Sequence, residues 1–128
     1  MTPQPINRSP RRRASVLIGL LLVLPAMASA HAFLDRAEPK VGSEIAKSPA
    51  DVRIKFTQNI EPAFSAIQVF DASGKQVDKK DSHLDSNEKS TLIVSVEQLP
   101  PGEYKVSWHV VSVDTHRTHG DFKFTVKS

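Results

Sequence analysis

Apolar and polar residues alternate with period two along most of this chain, and nowhere past residue 30 with the 3.6 spacing of a helix. Val52, Ile54 and Phe56 alternate with Arg53, Lys55 and Thr57. Ile67 and Val69 alternate with Gln68 and Phe70, and Leu92, Val94 and Val96 form a third row. Tyr104, Val106, Trp108 and Val110 alternate with Lys105, Ser107 and His109, and Phe122, Phe124 and Val126 with Lys123, Thr125 and Lys127. Successive side chains of a strand point to opposite faces, so each row predicts a strand with one face in a core. Phe33 and Phe64, outside these rows, are expected to pack in the same core.

Turn residues separate the rows: Glu38-Pro39-Lys40-Val41-Gly42, Ser48-Pro49, the hairpin signal Ala72-Ser73-Gly74-Lys75 and the reversal Pro100-Pro101-Gly102. Short strands punctuated in this way predict an all-β sandwich or barrel. The stretch Asp78–Ser90 (DKKDSHLDSNEKS) is polar throughout and is expected to form an exposed loop or an irregular edge. No internal repeat and no second domain fit the length.

The first 30 residues break the pattern. Arg8 and Arg11-Arg12-Arg13 precede an apolar run from Ala14 to Leu24, Pro25 interrupts it, and Ala28-Ser29-Ala30 supplies small residues at a cleavage position. The apolar run is about half of the roughly 20 residues a membrane-spanning helix needs. Residues 1–30 are therefore read as a cleaved signal peptide and residues 31–128 as one exported domain without a membrane span. Cleavage changes the charge balance: it removes four of the 17 basic residues and none of the 14 acidic ones. The exported part is then near neutral, and the basic balance of the whole chain is no argument for nucleic acid. With no cysteine in the chain, neither a disulfide nor a thiolate ligand is available.

Cleavage after Ala30 makes His31 the first residue. A terminal histidine offers an amine and an imidazole on one residue, and Cu(II) favours such nitrogen and oxygen donors in a tetragonal plane. Asp114 and His116 stand two apart at the end of the longest row. In an extended chain that spacing puts a carboxylate and an imidazole on one face. Each observation has a plainer counterpart: a frayed terminus and a polar surface pair. His119, three residues beyond His116, would lie on the other face; His109 shares the polar side of its strand with Lys105 and Ser107; His83 sits in the polar loop. No nucleophile elbow, zinc-protease or phosphate-loop motif is present.

Taken together these residues resemble the CopC family of periplasmic copper-binding, copper-resistance proteins. The likeness runs from His31 in H-A-F-L-D-R-A-E-P-K-V-G-S, through V-R-I-K-F-T-Q-N-I-E-P-A-F-S, to G-E-Y-K-V-S-W-H-V-V-S-V-D-T-H-R-T-H-G-D-F-K-F-T-V. It implies a small Greek-key β-sandwich or barrel, cupredoxin-like or immunoglobulin-like, of about seven strands. It implies one Cu(II) per chain, held by the amine and imidazole of His31 with Asp114 and His116, in a monomer that sequesters or carries copper. A CopD-type inner-membrane protein is the implied partner; some relatives are fused to one, whereas this chain, ending at Ser128, is expected to act separately. Some relatives also hold Cu(I) in a methionine-rich loop. Here the two methionines, Met1 and Met27, both lie in the leader, so a Cu(II)-only member is expected.

Two rivals stand beside this reading. Lytic polysaccharide monooxygenases also hold copper with a terminal histidine and a second histidine. They need a broad, flat polysaccharide-binding face, for which one tryptophan and one tyrosine provide little, and an open coordination position that Asp114 would occupy. A purely structural, adhesion-type sandwich would bind no stoichiometric copper.

Overall fold

A computed structural model describes residues 32–128, together with 2–7, 15, 16 and 18–20. The expected processing site at Ala28-Ser29-Ala30, and His31, lie outside the described residues. No helix among the described residues is long and apolar enough to cross a membrane.

Eight strands form: β1 (Leu34–Glu38), β2 (Glu44–Ile45), β3 (Asp51–Phe56), β4 (Ala66–Phe70), β5 (His83–Leu84), β6 (Thr91–Ser95), β7 (Gly102–Val111) and β8 (Arg117–Val126). They make two four-stranded sheets, ordered β1-β3-β6-β5 and β2-β8-β7-β4. All pairings are antiparallel except the short β2–β8 contact. The chain passes between sheets at nearly every connection, and only β5–β6 and β7–β8 are sequential neighbours within one sheet. The architecture is thus a β-sandwich. Its count of eight, against about seven expected, includes β2 and β5, each of two residues.

The period-two rows supply the inner faces. Val52, Ile54, Phe56, Leu92 and Val94 of the first sheet meet Ile67, Val69, Tyr104, Val106, Trp108, Val110, Phe122 and Phe124 of the second, all buried. Burying each large apolar side chain contributes about 1.5–3 kcal/mol. The sheets interlock through Phe56 and Trp108, whose ring centroids are 5.1 Å apart at 69°, an edge-to-face pair. Trp108 faces Gly120 across the β7–β8 ladder. A Cβ on Gly120 would come within 2.6 Å of the indole, so glycine is the residue that lets Trp108 lie flat there.

One expectation is corrected. Phe33 and Phe64 are 53% and 66% exposed: Phe33 precedes β1, and Phe64 lies in a 3₁₀ turn, Pro62–Phe64, whose residues are all unburied. Ile93, on the polar side of its row, is buried. Arg53 of β3 and His83 of β5 flank it in register, and the Arg53–Asp85 ion pair at 3.0 Å ties the two sides together. Of the two alternatives for the polar stretch from Asp78, the irregular edge is the one formed. It contains β5, and Asp78 is itself buried.

Candidate metal-binding hairpin

β7 and β8 are the longest strands, and their connection carries the candidate residues. Ser112 N donates to the His116 carbonyl at 2.9 Å and Thr115 N to the Ser112 carbonyl at 2.8 Å. Thr115 takes φ +74°, the left-handed region. This is a tight hairpin loop, Val113-Asp114-Thr115, closed by a hydrogen-bonded 112/116 rung. Asp114 and His116 are therefore not two steps along an extended strand: Asp114 stands in the turn and His116 on the return. The reversal nonetheless brings the carboxylate and the imidazole together, with His116 Nδ1 3.4 Å from Asp114 Oδ1.

The pair is half open, with side chains 41% and 47% exposed. Beneath it lies Ser112, fully buried, whose hydroxyl donates to Asp114 Oδ1. That donation holds the Asp114 carboxyl below its ordinary range, against desolvation and with further help from the neighbouring His116. Asp114 is therefore an anion at neutral pH on a partly exposed side chain, as a hard or borderline cation requires.

The amino-terminal end of the described domain is fastened beside this loop. The Thr118 hydroxyl, two residues past His116, donates to the Ala32 carbonyl at 2.6 Å. Ala32 is fully buried. Phe33 N donates to Thr57 Oγ1 at 3.0 Å, and Thr57 N donates to the Phe33 carbonyl at 2.9 Å. The loop is held from the other side by Val113 N, which donates to the Asn59 carbonyl at 3.1 Å. Two distant parts of the sequence thus converge at one end of the sandwich.

Of the three expected ligands, Asp114 and His116 are brought together, and His31 falls outside the described residues. No group of three or more His, Asp or Glu side chains among the described residues could hold an ion. His83 is tied into its own edge, with Nδ1 2.7 Å from the Asp81 carbonyl. His109 and His119 lie on the outer face of the second sheet, away from the hairpin tip. Ser112, Thr118 and Thr57, which position the site, were not singled out from sequence. The S-x-D-x-H spacing contains Ser112 but does not reveal its buried hydroxyl.

Comparison with known proteins supplies a family. Residues 34–127 match the CopC domain family. The chain is 31% identical to Protein YobA of Escherichia coli K12 over 117 residues, covering 91% of this chain and 94% of that one. It superposes on the crystal structure of CopC from Methylosinus trichosporium OB3b with a TM-score of 0.71 at 33% identity, covering 76% of this chain and 94% of that one. PcoC of Escherichia coli, described as a methionine-rich copper resistance protein, matches with a TM-score of 0.68 at 30% identity, covering 77% of this chain and all of that one.

Proposed function

The chain belongs to the CopC family, and on that premise we propose that it is a periplasmic Cu(II)-binding protein that sequesters or carries copper in tolerance or supply. The cargo is held by His31, Asp114 and His116. The observation that carries this reading is the meeting of the Asp114–His116 pair with the anchored Ala32 segment. Consecutive Cα atoms lie about 3.8 Å apart, so a histidine directly before Ala32 starts one residue from the carbonyl that Thr118 grips. Cleavage after Ala30 would free its amine there.

The donor set supports Cu(II) over Cu(I). A carboxylate, imidazoles and an amine suit a borderline divalent ion, whereas Cu(I) seeks thioether or thiolate. Residues 31–128 contain no methionine or cysteine, in contrast to the methionine-rich PcoC. A free α-amino group titrates near pH 8, so copper displaces its proton and binding strengthens with pH up to that range. The role is binding and delivery rather than catalysis, with a CopD-type inner-membrane protein as the receiving partner.

Mass spectrometry of the exported protein tests the reading directly: the first residue should be His31 and one copper should accompany the chain. Placing one extra residue before His31 should sharply weaken Cu(II) binding. Unchanged affinity in that variant removes the terminal amine from the site.

A further inference from the structure

His109 and His119 are ten residues apart and form no motif, but the register of β7 and β8 sets them directly opposite each other. The kind of rung follows from the hairpin. Ser112 N bonds the His116 carbonyl, so 112/116 is a hydrogen-bonded rung. Rungs alternate, which makes 111/117 non-bonded, 110/118 bonded and 109/119 non-bonded. At non-bonded rungs facing side chains come closest, with Cβ atoms about 4.5–5.5 Å apart.

Both histidines are exposed. On one side the next strand offers only Ala66 opposite His109, too small to cover an imidazole. On the other, β2 pairs with β8 only at Thr125 and Val126, so among the described strands β8 is an open edge at His119. Asp121 lies two residues along the same face of β8, in a loose 3.6 Å pair with Lys105. Arg117 flanks the opposite side, across from Val111. The face therefore presents two exposed imidazoles side by side, with a cation at the far flank that tempers affinity.

We propose that His109 and His119 form a second, weaker chelate site for a late first-row divalent ion, on the outer face of the second sheet and separate from the hairpin. Two imidazoles each bind such an ion at about 2.0–2.1 Å. The side-by-side placement lets one ion take both rings, with water completing the shell. Among these ions copper binds such donors most strongly, so the site fills with Cu(II) after the hairpin site and with Zn(II) when zinc alone is supplied.

The exported protein is titrated with Cu(II) past one equivalent, and separately with Zn(II), while the imidazole nitrogen resonances are followed by NMR. A further equivalent should perturb His109 and His119 together. His109→Gln and His119→Gln should each abolish it, and the double variant should lose nothing more, because one ring alone does not chelate. Both changes are on the solvent face, and an unaltered thermal unfolding curve checks the fold. His116→Ala should leave this equivalent in place while losing the first, so failure of either site is seen separately. Survival of the further equivalent in either single variant, or its appearance at His83 instead, overturns the chelate.

Discussion

Two carboxylates in loops of this sandwich have opposite surroundings. Asp78 is buried, and every direction around it is used: Oδ1 accepts from Val69 N at 2.8 Å, and Oδ2 accepts from Gln76 Nε2 and Lys80 N at 3.1 Å each. Asp114 accepts the hydroxyl of buried Ser112 at Oδ1, the oxygen that His116 Nδ1 also faces at 3.4 Å, and its side chain stays 41% exposed. A carboxylate whose two oxygens are taken by two backbone amides and a side-chain amide closes an edge of the sheet. One held by a single strong donor keeps its charge and direction but has coordination capacity left. The contrast separates a structural acid from a ligand without reference to sequence motif, since both stand in equally polar stretches.

Removing the structural acid should have the larger effect on the fold. Asp78→Ala strands the Val69 amide, a buried donor, and frees Gln76 and Lys80 N. An unsatisfied buried group costs about 1–3 kcal/mol, so a stability loss of about 2–3 kcal/mol is expected from urea unfolding. Copper affinity of the folded fraction should be unchanged. Equal loss of affinity would mean that the edge and the hairpin are coupled, and the comparison would fail.

Changing the ligand acid should do the reverse. Asp114→Asn keeps an acceptor for Ser112, so its unfolding free energy should stay within about 1 kcal/mol of the parent, the scale of a single net hydrogen bond. Cu(II) affinity should fall, because the anionic donor is gone. His116→Ala should also weaken binding and shift the electron paramagnetic resonance of bound Cu(II) toward fewer nitrogens. A stability loss as large as that of Asp78→Ala would place Asp114 among the structural acids.

The sequence foretold the sandwich well because its physics is local. Period-two burial is visible wherever one face of a strand is dry, as from Tyr104 to Val110 and from Phe122 to Val126. It failed where burial depends on what crosses over. Ile93 is covered through the Arg53–Asp85 span, and Asp78 is covered by the backbone it bonds. At the hairpin the residue types Asp114 and His116 were legible but their geometry was not. Nothing in D-T-H announces a threonine at φ +74°, so an extended strand was the natural expectation. The positioning groups were hidden for another reason: Thr118 acts on Ala32, 86 residues away in sequence, and only the assembled sheets bring them together. His109 was read correctly as solvent-facing and His119 as lying on the other face from His116, yet their pairing is a property of register, which the alternation of single strands does not encode.

Thr118 sharpens the comparison from the positioning side. Thr118→Val keeps the shape and removes the hydroxyl that holds the Ala32 carbonyl. The stability cost should be about 1 kcal/mol, one net hydrogen bond. Cu(II) affinity should drop by more than that cost alone implies, because the first residue would lose its fixed origin beside Asp114. If affinity is untouched while stability falls, the tether serves the fold only.

The smallest expected effect is one of pH, and it concerns the edge that contains Asp78. Asp81 is held below its ordinary range chiefly by hydrogen bonding from Ser95, whose backbone amide donates at 2.8 Å. Asp85 is lowered first by the Asn87 amide and then by Arg53, and Glu88 by Lys55 and Thr91. A carboxylate whose folded value lies below its unfolded one stabilises the fold fully above the unfolded value. That contribution fades as pH falls through the folded value. The ordinary values here are 3.8 for Asp and 4.5 for Glu, so thermal stability should be flat above about pH 5.5 as far as these groups act, and decline below about pH 4.5. All three groups are exposed enough for water and salt to screen them, so the decline should be gentle. Asp81→Asn should make it gentler still, whereas Asp114→Asn should flatten the acid limb through its contacts with Ser112 and His116. Thermal unfolding between pH 3 and 7 in the metal-free protein reads this directly; a stability that rises on acidification would show that the edge carboxylates repel one another more than their donors hold them.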